Sequence, residues 1–275
     1  MSSAATTARA TFDDFSDRAR AGIVTGGELV LLAWDSLYGA TEDIIRRNFS
    51  WQEFFLQAWF MVRVSLLPTI LVAIPFGVIV SVQVGGVASQ IGATSFIGAV
   101  NGIGVLRQGA PLVTSLMIAG AVGSAITADL GARQVREEID AMKVMGLSPV
   151  RRLVAPRVAA AIVVAALLSA VVATTAIVTG FALVVGSGDV SSGTYLGAFI
   201  SFGQPTDLLL AELKAVLFGF IATIVAAHKG LNARGGPKGV ADAVNQSVVL
   251  SVILLAIVNV GLTQAYVMLV PQRIA

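Results

Sequence analysis

Five long apolar segments constrain the fold of this chain more than any other feature. They cover approximately residues 54–84, 97–128, 158–185, 208–227 and 244–270. A helix needs roughly 20 apolar residues to cross a bilayer core, so each segment is long enough to span a membrane. Only 12% of the chain is charged, whereas about a quarter of a soluble domain is charged. The sequence therefore predicts an all-α integral membrane protein with five transmembrane helices.

The first span contains two prolines, Pro68 and Pro75. Proline removes a backbone donor and kinks or breaks a helix. Within a membrane, such a break persists only where protein or a cavity satisfies the freed backbone groups. A broken or partly re-entrant first span is therefore one interpretation of this segment.

The positive charges of the loops predict the orientation. The loops near residues 85–96 and 186–206 contain no Lys or Arg. Basic residues instead precede the first span and fill the loops after the second and fourth, at Arg46, Arg47, Arg133, Arg136, Lys143, Arg151, Arg152, Arg157, Lys229, Arg234 and Lys238. Cytoplasmic loops carry the excess of Lys and Arg. The pattern thus predicts a cytoplasmic N-terminus and a C-terminus outside.

The segment ahead of the spans, residues 1–50, differs from the transmembrane domain of residues 51–275. It contains acidic residues and lacks the uninterrupted apolar run of a signal peptide. Apolar residues recur at helical spacing at Val30, Trp34, Leu37, Tyr38 and Ile45, with Glu28, Asp35 and Glu42 on the opposite face. This pattern predicts an amphipathic helix at the membrane interface. The alternative is a soluble arm that packs on a partner protein.

A charged segment over residues 133–146 interrupts the apolar sequence between spans two and three. Its apolar residues share one helical face at Val135, Ile139, Met142 and Met145, and Arg136–Asp140 and Asp140–Lys143 are opposite charges at helical spacing. Gly146 can cap the helix and Pro149 prevents its continuation. The sequence predicts a short cytoplasmic helix. Its methionine-rich face is suited to a groove on a partner, or it lies back on its own membrane domain.

Several functions are disfavoured by missing residues. The chain has no cysteine and one histidine, His228, which excludes a thiolate site and a histidine metal cluster within one chain. The segment 235–239 is nearest to a phosphate-binding loop but lacks its spacing and hydroxyl residue. Any ATPase must therefore be a separate chain. A transporter driven by ion gradients remains the alternative function, although intramembrane carboxylates would be expected for it. An intramembrane enzyme and a nucleic-acid partner have no supporting motif.

Four polar residues within spans two and four are candidates for a lipid path or a permease interface: Arg107, Gln108, Glu212 and Lys214. Intramembrane Arg is costly and tends to face a cavity or a partner charge. Arg107 either contacts headgroups or a second permease, or extends to the interface. Glu212 and Lys214 form an ion pair, contact headgroups or anchor their span. His228 is interpreted as interfacial, and Asp129 as structural, bonding local backbone or pairing with Arg133.

Small residues also recur in span two. Gly98 with Gly102, and Gly120 with Ser124, are pairs at the four-residue spacing that brings membrane helices into close contact. Close helix packing explains both pairs.

The central part of the sequence resembles the MlaE/YrbE permease family. The resemblance is strong over residues 106–157. It rests on Leu106-Arg107 with Pro111, on Ala119-Gly120 with Gly123-Ser124-Ala125-Ile126-Thr127-Ala128-Asp129-Leu130-Gly131, on Glu138-Ile139-Asp140-Ala141-Met142 with Met145-Gly146, and on Arg151-Arg152-Leu153-Val154 with Pro156-Arg157. These permeases are bacterial inner-membrane subunits of ABC-type lipid transporters that work with MCE-domain proteins.

The resemblance implies that the charged segment is a coupling helix seated on a cytosolic ABC ATPase dimer, which would use ATP and Mg. The contact residues would be Glu137, Glu138, Asp140, Met142, Met145 and Gly146. This chain would bind no cofactor, would have no catalytic residue, and would pass phospholipid or fatty-acid-like lipids to MCE proteins on the outer side.

Two positions depart from the family pattern. Family members commonly have Glu where this chain has Gln108, and Arg where it has Ala121. Either the substrate path differs, or a second permease retains those charges. In actinobacteria the family occurs as two adjacent permeases, so a heterodimer is favoured over a homodimer.

Overall fold

The computed structural model describes residue 22 and residues 24–42, 50–188 and 190–269. Five of its helices are long and apolar enough to cross a membrane, which confirms the predicted all-α membrane architecture. The helices are α1 (24–42), α2 (Trp51–Gln90), α3 (Thr94–Val135), α4 (Glu138–Val144), α5 (Val150–Gly186), α6 (Ser192–Phe202), α7 (Pro205–Leu231) and α8 (Gly236–Leu269). The α3–α5 and α7–α8 connections lie on one side of the bundle, here called the basic side.

Helix α2 is continuous over 40 residues and contains both prolines. The broken or re-entrant interpretation of the first span is therefore wrong. Pro68 and Pro75 both lie on the exposed side of α2. The buried residues recur every four positions, from Met61 to Ser81. Because the prolines lie off this stripe, the face that packs on α5 stays regular.

The main core is formed by α3, α5 and α7 and includes Leu130, Leu168 and Phe218. Small residues bring these helices together. A Cβ on Gly219 would lie 2.7 Å from the Ala165 Cβ and 2.8 Å from the Ala161 carbonyl oxygen. Apolar side chains gain nothing by leaving lipid for protein, so this close packing is what holds membrane helices together.

Helix α1 lies across the basic side of the bundle. Glu28 lies 2.9 Å from the ring of His228, and Glu42 pairs with Arg151 at 2.8 Å. The apolar residues Val30, Trp34 and Tyr38 are exposed on the outward face. An exposed apolar face suits either an interfacial helix or an arm that packs on a partner, so both remain predictions. The interpretation of His228 as only an interfacial residue is incomplete, because its ring contacts Glu28. Ile45, which was assigned to the apolar face of this helix, lies outside the described residues.

Helix α6 lies in the segment expected to be a loop, on the side opposite the basic side. Ser191 caps it by accepting the backbone N–H of Thr194 at 3.2 Å, and at 11 residues it is too short to span. It packs on the start of α3, where Gly98 touches the Tyr195 backbone and Gly102 touches the Phe199 ring.

The two small-residue pairs of span two therefore differ. Gly98 and Gly102 confirm close packing, although their neighbour is α6 and not another span. A Cβ on Gly120 would have nothing within 4 Å among the described residues, so close packing does not explain the second pair.

Candidate functional site

The charged segment after α3 is divided into two helices. Helix α3 continues to Val135, and the chain turns at Glu137, whose φ of 59° is left-handed. The prediction of one helix over residues 133–146 is wrong at this turn. Arg136 therefore pairs with Glu138 at 2.7 Å and not with Asp140. The predicted Lys143–Asp140 pair is confirmed at 2.9 Å, because both residues lie within α4.

The end of α4 is a Schellman motif. Gly146 adopts a φ of 74°, its N–H donates to the Lys143 carbonyl at 3.0 Å, and the Leu147 N–H donates to the Met142 carbonyl at 2.9 Å. Glycine favours this left-handed position because it has no Cβ. The predicted role of Gly146 as a cap is confirmed, and α4 ends sharply.

The apolar residues of α4 are divided between two directions. Ile139 is 1% exposed, and Met142 packs against the main core. Val144 is 89% exposed and Met145 is 65% exposed. The helix therefore lies on its own membrane domain through Ile139 and Met142. It also presents an apolar surface formed by Val144, Met145 and Leu147.

Carboxylates flank this apolar surface. Glu137, Glu138 and Asp140 are all exposed. A hydrogen bond from Lys143 lowers the pKa of Asp140, so this carboxylate stays ionised at neutral pH. The outward side of α4 is thus an apolar patch next to negative charge.

An ion pair joins the helix ends on either side of α4. Asp129 near the end of α3 pairs with Arg157 of α5 at 2.6 Å, and Arg157 is 1% exposed. Arg157 also donates to the Leu153 carbonyl at 2.7 Å. The expected pairing of Asp129 with Arg133 is confirmed at 3.3 Å. The pairing of Asp129 with Arg157 was not predicted from the sequence. The helix ends on either side of α4 are therefore linked.

A second group of polar residues lies among α3, α7 and α8, in the half opposite the basic side. We call it the Arg107 cluster: Arg107, Gln108, Asp207, Lys214, Asn259, Thr263 and Tyr266. Arg107 Nε lies 2.6 Å from Asp207 Oδ1, and Asp207 is fully buried. The Tyr266 hydroxyl donates to the same oxygen at 2.9 Å, and its ring lies 5.4 Å from the Arg107 guanidinium. This network joins the three spans.

Two five-residue π-helical segments interrupt α3, at Val105–Gly109 and Ile118–Val122. A π-bulge disturbs the regular i→i−4 ladder and often marks a functional site. Lys214, which is fully buried, donates to the Arg107 carbonyl at 3.0 Å and to Thr263 Oγ1 at 2.8 Å. Lys214 thereby gives the carbonyl within the first π segment a partner that lipid cannot supply.

Both departures from the family pattern fall within these π segments. Gln108 lies in the first and Ala121 in the second. Gln108 donates to Thr263 Oγ1 at 3.3 Å, and Asn259 donates to Gln108 Oε1 at 3.4 Å. A neutral amide occupies the position where the resemblance predicts an acid, and it bonds to α8.

The structure brings together three of the four intramembrane candidates. Arg107, Gln108 and Lys214 lie in one cluster, whereas Glu212 lies on another face of α7, beside Ser169 of α5. Asp207 was not predicted from the sequence as a member of this cluster. Its only sequence signal is local: with Gln204 it forms a capping box at the start of α7, where Gln204 N–H donates to Asp207 Oδ2 at 3.4 Å. That pattern is expected at any helix start.

Five spans, a capped helix between the second and third, and a polar cluster among three spans define a multi-pass membrane protein of the permease class. The family Permease MlaE matches residues 54–265, and the chain belongs to this family. ABC permeases of this kind are membrane subunits, which implies a partner ATPase.

Relatives agree with this assignment. A probable ABC transporter permease protein of Rickettsia bellii is 32% identical over 178 residues, 65% of this chain and 69% of its own length. One from Synechocystis is 33% identical over 193 residues, 66% and 70% of the two chains. The chloroplastic protein TRIGALACTOSYLDIACYLGLYCEROL 1 of Arabidopsis thaliana is 28% identical over 178 residues, covering 65% of this chain and 51% of that protein.

Proposed function

We propose that this chain is the transmembrane permease subunit of an ATP-driven transporter that passes phospholipid or fatty-acid-like lipids between the inner membrane and an MCE-protein assembly. The observation that carries the proposal is helix α4, a capped surface helix whose apolar patch of Val144, Met145 and Leu147 is exposed among the described residues. Membership of an ABC permease family favours ATP over the ion-gradient alternative. ATP and Mg would be bound by the partner ATPase dimer.

Helix α4 is suited to act as the coupling helix. Val144, Met145 and Leu147 form an apolar surface that a groove on a partner can cover, and Met side chains adapt to such grooves. Ile139 anchors α4 in the core, so a displacement of α4 by the partner would move the helix as a rigid unit. The Asp129–Arg157 pair, at 2.6 Å, would pass that movement to α5.

The partner contact can be tested by charge reversal. Glu138→Lys with Asp140→Lys should abolish co-purification of the ABC ATPase, since both carboxylates border the apolar surface. Asp35→Lys is the control, because Asp35 is also exposed but belongs to α1 and not to α4. An ATPase that still binds the double variant would overturn the coupling-helix assignment.

The four intramembrane candidates support a lipid as the transported molecule. Arg107 and Lys214 supply cations and Gln108 an amide within spans that otherwise contact acyl chains, a combination that suits an amphiphile with a polar head. Glu212, on another face of α7, is assigned to a different part of the path or to the interface between permeases. The name of the Arabidopsis relative is that of a galactolipid.

The cargo can be identified from the purified complex. Mass spectrometry of co-purified lipids should show one lipid class enriched over the membrane extract, and Arg107→Gln should reduce that enrichment. Val249→Gln, an exposed position on α8 outside the Arg107 cluster, is the control. A lipid profile identical to bulk membrane in the unmodified complex would contradict lipid transport.

We also propose that the N-terminus is cytoplasmic and that a second, paralogous permease completes the transporter, with MCE proteins on the outer side. Because the chain has no cysteine, single-cysteine variants report contacts cleanly. Helix α8 is the least buried of the five spans, so Ile257→Cys on α8 should cross-link to the paralogue in native membranes. Leu167→Cys on the more buried helix α5 should not cross-link. A cross-linked homodimer would contradict the heterodimer.

A further inference from the structure

A cavity of about 520 Å³ lies where α2, α4 and α5 meet on the basic side. We call it the interfacial pocket. Its polar lining comes from Ser50, Gln52, Glu53, Arg133 and Arg152. Leu56, Met142 and Leu147 line it as well, so polar and apolar surfaces share one cavity. It is far from the Arg107 cluster, which lies in the opposite half of the bundle.

The charges around the interfacial pocket favour an anion. Asp129 forms ion pairs with two arginines, Arg157 at 2.6 Å and Arg133 at 3.3 Å. Among the described residues, Arg152 has no carboxylate within ion-pair distance. Glu53 accepts a hydrogen bond from Gln57 at 2.7 Å. The pocket lining therefore carries two arginines, Arg133 and Arg152, against one carboxylate, Glu53, which leaves one positive charge in excess.

The start of α2 places this pocket at headgroup depth. Trp51, Phe55 and Trp59 are 58%, 64% and 67% exposed and follow one another at four-residue intervals on one face. Exposed aromatic residues at a helix end mark the membrane–water interface. Leu56 lies within the same two turns and lines the pocket, so the pocket lies at the level where phosphates of the bilayer lie.

We propose that the interfacial pocket binds the headgroup of an anionic phospholipid from the leaflet on the basic side. Arg133 and Arg152 contact the phosphate, in the way that basic pockets between membrane helices hold anionic headgroups. Leu56, Met142 and Leu147 cover the first carbons of the acyl chains. The cavity is of the size usual for small-ligand sites.

The proposed lipid also contacts the α4 region. Met142 belongs to α4 and Leu147 to its cap, and both line the pocket. A bound lipid therefore fills the space between α4 and the start of α2 and holds α4 in position. This site does not depend on the proposed transport function, since a lipid that supports the helix need not be the cargo.

The test uses the full chain, purified in detergent and incubated with phosphatidylglycerol, phosphatidylcholine or inorganic phosphate, with native mass spectrometry as the readout. Phosphatidylglycerol should be retained about fivefold better than phosphatidylcholine, given the one positive charge in excess at the pocket. Arg133→Gln with Arg152→Gln should reduce that preference to near unity. Arg234→Gln with Lys238→Gln removes the same charge from exposed positions outside the pocket and should leave it unchanged.

Arg152→Gln alone serves as the test if the double variant does not fold, because Arg152 makes no ion pair among the described residues. This single variant should lose part of the preference for phosphatidylglycerol over phosphatidylcholine. Equal retention by the pocket variants and the wild type would overturn the proposal. So would competition by millimolar phosphate, which would assign the pocket to a free anion. Loss of phosphatidylglycerol from the complex purified with its ATPase would instead assign the pocket to the partner.

Discussion

Asp207, a fully buried carboxylate on α7, lies 2.6 Å from the guanidinium of Arg107 on α3. The two residues are 100 positions apart in the chain. Asp207 is shielded from solvent, so its charge depends on the donors that surround it, and Arg107 is the cation with which it pairs. The Tyr266 hydroxyl adds α8 to the same carboxylate. This pair therefore fixes how three spans are arranged around the first π segment.

The Arg107–Asp207 pair should show strong energetic coupling. In a double-mutant cycle of Arg107→Gln and Asp207→Asn, we expect a coupling free energy of about 1.5–3 kcal/mol, as for hydrogen bonds between charged groups. Unfolding of the purified protein in detergent measures it. The Arg136–Glu138 pair is the control, since its side chains are 62% and 44% exposed, and exposed pairs couple by about 1 kcal/mol or less. Equal coupling for both pairs would contradict the buried network.

Replacing Lys214 should destabilise the fold. Lys214→Met keeps the length of the side chain but leaves the Arg107 carbonyl and Thr263 without their donor. An unsatisfied buried polar group costs about 1–3 kcal/mol, so the midpoint of thermal unfolding in detergent should fall. Lys238→Met makes the same change at an exposed position and should leave the midpoint in place. A similar midpoint for both variants would mean that Lys214 is not needed for the π segment.

Two glycine substitutions should have opposite effects. Gly219→Ala places a Cβ 2.8 Å from the Ala161 carbonyl oxygen, and forcing the helices apart costs about 1–3 kcal/mol. Gly120→Ala meets no described residue within 4 Å and should be neutral or stabilise by up to about 1 kcal/mol through helix propensity. Thermal unfolding of both variants checks the sign. A destabilising Gly120→Ala would indicate a neighbour outside this chain, such as a second permease.

The two left-handed residues that flank α4 should also respond in opposite directions. Glu137→Gly removes the strain of a φ of 59° and should stabilise α4 by up to about 1 kcal/mol, whereas Gly146→Ala introduces strain at a φ of 74° and should cost about 1 kcal/mol or more. Hydrogen exchange of the α4 amides measures both effects locally. Slower exchange in Glu137→Gly together with intact ATPase binding would show that Glu137 shapes the turn and is not a contact.

Much of the membrane architecture could be predicted because its signals are local. The spans depend on the hydrophobicity of consecutive residues, and the end of α4 depends on Gly146 and Pro149. The turn at Glu137 could not be predicted, since Glu is not a residue expected at a left-handed position. The packing of α6 and the π segments of α3 likewise have no short sequence pattern that distinguishes them from ordinary loop and helix.

Local properties of the sequence are sufficient to predict the five spans, the distribution of basic loops and a terminated charged segment between spans two and three, because bilayer thickness and backbone chemistry act on neighbouring residues. Three features are visible only in the folded chain: Arg107 meets Asp207, Glu212 lies elsewhere, and α4 turns Ile139 inward and Val144 outward. These depend on how each helix is rotated against the others. That rotation is set by close packing at residues such as Gly219, which lie far from those contacts in sequence.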